Sequence, residues 1–133
     1  MNKIDQKEFH PNSKHQSGYN FEALCKVSPE LETYVFKNKF KTNSIDFGNP
    51  KAVKALNTAI LKKDYQINFW EFPDKHLCPP IPGRVDYLHY LNDLFQESKL
   101  DKNSLVLDIG TGANCIYPLL GVSEFDWNFL ASD

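Results

Sequence analysis

The stretch LDIGTGANCIYPLL, from Leu107 to Leu120, sets an acidic residue at the end of a hydrophobic run and follows it with two glycines on either side of a threonine. SLVLDIG accumulates apolar residues instead of alternating them, as a strand buried on both faces of a parallel sheet does. A second run of that type, Trp127 to Ser132, stands just before Asp133. The predicted order is strand, glycine turn, short helix, strand. That order presents the free N–H groups of a turn and a helix N-terminus to a ligand, and Gly110 and Gly112 let the ligand come close to the main chain. In a dinucleotide-binding turn a third glycine permits tight helix packing, but here Cys115 holds that place, which disfavours a nicotinamide or flavin cofactor.

Working outward, RVDYLHYLNDLFQES carries apolar residues at Val85, Leu88, Leu91, Leu94 and Phe95, a helical stripe that ends before the polar break at Ser98 to Asn103. CPPIPGR reads as a proline-stiffened connector, and INFWEF as a strand or the end of a packed loop, with extended structure favoured. In NSIDFGNPKAVKALNTAILKKDY, Asn49 is placed to cap a helix whose buried face carries Val53, Leu56, Ala59 and Ile60, with Pro50 in its first turn. NFEALCKVSPELETYVF fits two short helices, the second started by Ser28 and Pro29. Residues 1–20 are polar and without period, and read as a flexible or partner-ordered arm.

The 133 residues suit one ordinary domain, and 41% hydrophobic content is enough to build a core. No run approaches the roughly 18 apolar residues of a membrane span, and the N-terminus lacks the apolar centre of a secretion signal, so a cytoplasmic location is expected. Cys25, Cys78 and Cys115 match no disulfide or zinc spacing and read as reduced thiols. The net charge of −2 conceals an asymmetry: residues 1–63 hold 11 lysines against 6 acidic residues, whereas residues 64–133 hold 4 basic and 11 acidic ones. A basic first half suits a phosphate backbone and equally a solvated lysine face; the acidic second half suits a small-molecule site.

Asp108-x-Gly110-x-Gly112, with Asp133 following 25 residues later at the end of the next strand, resembles the nucleoside-methionine site of Rossmann-like methyltransferases, which implies S-adenosyl-L-methionine as ligand. The longer set LDIGTGANCIYPLLG, CPPIPGRVDYLHYLNDL, SIDFGNPKAVKALN and HPNSKH…YNFEAL resembles the bacterial 23S ribosomal RNA adenine-N6 methyltransferases (RlmF type), relatives of a eukaryotic family that methylates adenines in structured RNA. The resemblance runs from about His10 to Asp133. It implies cofactor contacts at Arg84, Asp108, Gly110, Gly112, Asn114 and Asp133, and 23S RNA as partner, with no metal and no membrane.

Arg84 would pair with the methionine carboxylate as a planar fork, unless it forms a salt bridge with Asp86 or Asp93. Asn114 would cap the short helix and touch the ligand. The arm departs from the family's HPRNKH-like form in lacking its arginine, which leaves His10, Lys14 and His15 as RNA contacts. Lys37, Lys39 and Lys41 alternate with Phe36 and Phe40, a pattern equally suited to RNA and to an ordinary loop.

The family's Asn-Pro-Pro-Phe motif, which would hold the target adenine, does not occur in these 133 residues. Cys78-Pro79-Pro80-Ile81 lacks both the amide and the aromatic, and precedes the glycine strand instead of following it. No catalytic residue is therefore assigned. The expected organisation is α/β: an arm over residues 1–20, a basic helical RNA-binding region over 21–83, and the start of a Rossmann-like domain over 84–133. The chain reads as an N-terminal portion with little activity alone, whose incomplete sheet permits self-association. Alternatives are methylation of another structured RNA, a protein-glutamine N5 methyltransferase, and a non-catalytic RNA-binding module.

Overall fold

A computed structural model describes residues 8–133. The first seven residues of the expected arm lie outside it. Helix α1 covers Phe21–Val27, and a 3₁₀ turn covers Pro29–Tyr34. Strands β1 (Phe36–Lys37) and β2 (Asn43–Ser44) pair as a small antiparallel hairpin. Helices α2 (Pro50–Tyr65) and α3 (Ile81–Glu97) follow. The chain then runs through β3 (Leu105–Ile109), α4 (Ile116–Phe125) and β4 (Asn128–Ser132). Strands β3 and β4 pair in parallel, with Leu107 opposite Leu130 and Ile109 opposite Ser132. The expected α/β order of helices followed by strand, helix and strand is what the chain forms.

The local causes are mostly those expected. Asn49 Oδ1 accepts from the Lys51 N–H at 3.0 Å and starts α2, and Asn20 Oδ1 does the same for Ala23 at the start of α1. Two elements differ. INFWEF forms no strand: it is an irregular segment whose Trp70 and Phe72 are buried and meet edge to face. Helix α3 begins at Ile81, so Pro82, Gly83 and Arg84 belong to its first turn and not to a connector. The buried Asn57 amide oxygen accepts from the Ile81 N–H at 2.9 Å, satisfying a donor that proline-rich sequence leaves uncapped.

One buried cluster joins the helical part to the strand part: Leu24, Leu31, Leu56, Ile60, Leu61, Ile81, Val85 and Leu88 are continuous with Ile116 and Leu120 of α4. Gly121 lies against β4 so closely that a Cβ there would enter the Phe129 ring. The other face of the two-stranded sheet is bare, with Leu105, Leu107, Ile109 and Leu130 all exposed.

Residues 8–20 are tied down at His10, Ser13 and His15, which are buried, while most of the rest is exposed; this differs from the flexible form of the expected arm. The His10 N–H donates to Asp86 at 2.6 Å, and its Nδ1 accepts from the Asn12 N–H, so Nε2–H is left to donate to Asp93 at 2.7 Å. His15 lies 2.7 Å from the Tyr65 hydroxyl. Lys14 sits over the Tyr65 ring and reaches Glu124 at 2.9 Å. The segment is a strap across α2, α3 and α4, held by side chains far away in sequence.

Candidate functional site

The glycine turn stands at the C-terminal edge of the parallel pair, where ligands of open α/β sheets bind. Gly110 and Gly112 have φ of +77° and +72°, values that L side chains adopt only at a cost. No atom lies within 4 Å of where a Cβ would stand on either, so the turn faces open space. Its shape is set from β4: the N–H groups of Gly110 and Thr111 both donate to the Ser132 carbonyl, at 2.8 and 2.9 Å. That clamp places the turn and the residue after Ser132, Asp133, at the same edge.

On the other side, α4 opens at Cys115, a left-handed residue (φ +53°) whose side chain caps nothing. The first N–H groups of α4 are left for water or a ligand. Asn114 is not the cap: its carbonyl instead accepts from Trp70 Nε1 at 2.9 Å, tying the turn to the irregular segment before α3. Asp108, the last but one residue of β3, has its Oδ2 buried and without a hydrogen-bond partner among the described residues. A buried carboxylate oxygen without a donor is costly, and a ligand hydroxyl or amine at the turn would satisfy it.

Arg84 projects from the first turn of α3 toward the first turn of α4. Its guanidinium lies 6.0 Å from the Tyr117 ring and 3.4 Å from the Tyr117 hydroxyl. Among the described residues it makes no salt bridge, because Asp86 and Asp93 are occupied by His10. The charge-paired alternative therefore drops away, and a cation remains beside the turn.

Arg84, Asp108, Gly110, Gly112, Asn114 and Asp133 thus lie along one edge of the sheet and the adjoining helix starts. Tyr117 and Trp70, which position Arg84 and the turn, escaped the sequence reading; the one signal for Trp70 was its aromatic run. The six expected RNA contacts do not form one surface of equal character. His10 and His15 are inside, spending their ring nitrogens on Asp93 and Tyr65, and Lys14 is ion-paired. Lys37, Lys39 and Lys41 lie together on the exposed hairpin. A separate cleft of about 720 Å³, bounded by Phe47, Lys54, Phe72 and His76, shares no residue with the turn. No group of metal-ligating side chains occurs among the described residues, and no helix there is long and apolar enough to cross a membrane.

Comparison with known proteins speaks to the family and the fold. The chain is 52% identical over 130 residues to the ribosomal RNA large subunit methyltransferase F of Colwellia psychrerythraea, covering 93% of this chain and 43% of that protein. The structure matches the N-terminal domain of human METTL16 in complex with SAH, with a TM-score of 0.80 and 34% identity over 92% of this chain and 48% of that one. It also matches the hMettl16 catalytic domain in complex with MAT2A 3'UTR hairpin 6, with a TM-score of 0.82 and 33% identity over 94% of this chain and 44% of the other. The chain spans 36% to 44% of the length of such curated relatives. The RNA methyltransferase family matches from residue 3 to residue 133, and the chain belongs to that family.

Proposed function

We propose that this chain is the N-terminal part of an S-adenosyl-L-methionine-dependent methyltransferase that modifies N6 of an adenine in 23S ribosomal RNA. The observation that carries the cofactor reading is the clamp of Gly110 and Thr111 onto the Ser132 carbonyl, with the partnerless Asp108 Oδ2 beneath it. The donor set fits the ligand. Glycines with open space in front accept the methionine moiety, the Arg84 fork suits its carboxylate, and the Asp133 carboxylate suits two ribose hydroxyls.

S-adenosyl-L-methionine supplies an electrophilic methyl on sulfonium, and the adenine N6 lone pair is its acceptor. The residues in hand bind and orient: Arg84 and Asp133 hold opposite ends of the ligand, while Trp70 and Tyr117 keep the turn and the arginine in place. Alignment of the amino group falls to the family's Asn-Pro-Pro-Phe motif, so the 133-residue chain alone is expected to transfer no methyl group. The helical part, residues 21–83, is assigned to RNA, residues 84–133 to the cofactor, and the location is the cytoplasm.

Calorimetry with S-adenosyl-L-methionine tests the cofactor site. Arg84→Ala and Asp133→Ala should each weaken binding about tenfold or more, the effect of removing a charged hydrogen-bond partner. Unchanged affinity in both rejects the assignment. Mass spectrometry of 23S RNA treated with the longer protein tests the reaction: a new methyl on cytosine or ribose, or transfer to release-factor protein in preference to RNA, overturns the adenine-N6 reading.

A further inference from the structure

The hairpin tip between β1 and β2 is rigid, and what it holds out to solvent is apolar. Asn38 Oδ1 accepts from the Phe40 N–H at 2.9 Å, the Thr42 N–H at 3.1 Å and the Thr42 hydroxyl at 3.0 Å. The main chain adds Asn38 N–H to Thr42 and Lys41 N–H to Asn38, both at 2.9 Å, with Lys41 in the left-handed region at φ +59°. These bonds hold the turn that presents Phe40, which is 73% exposed. Burying such a ring would stabilise the fold. The hairpin forgoes that stabilisation.

Charge follows the same pattern. Lys39 Nζ stands 5.0 Å from the Phe40 ring centre. The stretch from Val35 to Ser44 contains three lysines and no acidic residue. Lys37, Lys39 and Lys41 have no carboxylate within 4.0 Å among the described residues, as is also true of Lys51, Lys62, Lys75, Lys99 and Lys102; what sets the tip apart is that its three lysines flank an exposed aromatic ring with no acidic residue between them. An exposed aromatic face on a hydrogen-bonded turn, framed by three cations, complements one chemistry in particular: the π-face of an unpaired base with phosphates on either side. A base inside an A-form duplex keeps its faces in the stack and offers the tip nothing to cover.

We propose that the tip is a contact for single-stranded RNA, in which Phe40 stacks on one unpaired base while Lys37, Lys39 and Lys41 meet the flanking phosphates. The proposal rests on the RNA methyltransferase reading and adds the kind of nucleotide recognised outside the reaction site: a bulge or loop, read by stacking.

The test uses the full 133-residue chain and two RNA hairpins of the same stem, one fully paired and one carrying a single bulged 2-aminopurine. Tighter binding of the bulged RNA, with quenching of its fluorescence, is expected. Phe40→Ala should weaken binding of the bulged RNA about tenfold, within the range that one base stacked on an aromatic side chain spans. It should leave the paired RNA and the Tm unchanged, since the side chain is exposed, and Phe40→Tyr should restore binding. Replacing the three lysines by glutamine should weaken binding of both RNAs and flatten its salt dependence. Binding of the bulged RNA that survives Phe40→Ala overturns the tip alone. Failure of the native chain to bind either RNA overturns the tip and the RNA reading together. A loss seen on protein-bearing ribosomal particles but not on naked RNA makes the tip a protein contact, and the proposal also falls.

Discussion

Cys115 occupies the place where a dinucleotide-binding turn carries its third glycine, and it does so with a left-handed backbone that a glycine would adopt more easily. The thiol leaves α4 uncapped and lies 3.4 Å from the Thr111 hydroxyl across the turn. His15 is the other residue whose setting decides its chemistry. Burial lowers its pKa below the ordinary 6.5, and burial does the same for His89 in α3. Burial together with the Glu124 and Asp64 carboxylates pushes the Tyr65 phenol upward, so the hydroxyl beside His15 keeps its proton. The unfolded chain therefore takes up protons near pH 6.5 that the folded chain refuses until lower pH. Stability is complete above that value and falls as pH drops from there through the folded pKa. Thermal unfolding between pH 7.5 and 5, on the order of the physiological His range, should show a declining Tm, and His15→Phe should flatten the decline. A constant Tm in the native sequence would contradict this account.

Among the elements, α2, α3 and β3 were readable because each carries its own instructions: an apolar stripe at helical spacing, a capping asparagine, a continuous apolar run. Asn49 is the cleanest case. Asn49→Ala removes the acceptor for the Lys51 N–H and should cost about 1 kcal/mol in chemical denaturation, with Asn49→Asp largely neutral. Equal loss in both would mean that the cap contributes nothing. The strap over residues 8–20 and the segment 66–80 were not readable in this way, because what orders them is remote. His15 finds Tyr65 across 50 residues, His10 finds Asp93 across 83, and Trp70 finds Asn114 across 44. Local composition reports only that these segments are polar or aromatic; it does not report which partner will bury them. The site divides along the same line. Spacing alone puts the glycines and Asp133 forward as candidates, whereas the contacts of Tyr117 with Arg84 and of Trp70 with Asn114 form only when α3, α4 and the irregular segment come together.

For the whole molecule, the unequal faces of the parallel pair matter most. One face rests on α4, and the other exposes Leu105, Leu107, Ile109 and Leu130. Parallel strands are ordinarily covered on both sides, and an apolar patch of this kind drives association. Analytical ultracentrifugation of the 133-residue chain should show concentration-dependent association into pairs. Leu107→Lys, at the middle of the patch, should return the chain to monomer without lowering its Tm, because an exposed leucine contributes little to the core. A native chain that stays monomeric up to high concentration would remove self-association from the reading.

The clamp at the sheet edge also bears on how the site tolerates change over many generations. Gly110 and Thr111 grip Ser132 through main-chain atoms alone. The serine side chain has no part in it, so position 132 is free to drift among residue types while the turn keeps its form. Proline at 110 or 111 is the exception, since it brings no N–H. The glycine turn and the end of β4 are thus coupled by atoms that nearly every amino acid supplies, and substitutions at 132 should leave almost no trace in the shape of the turn.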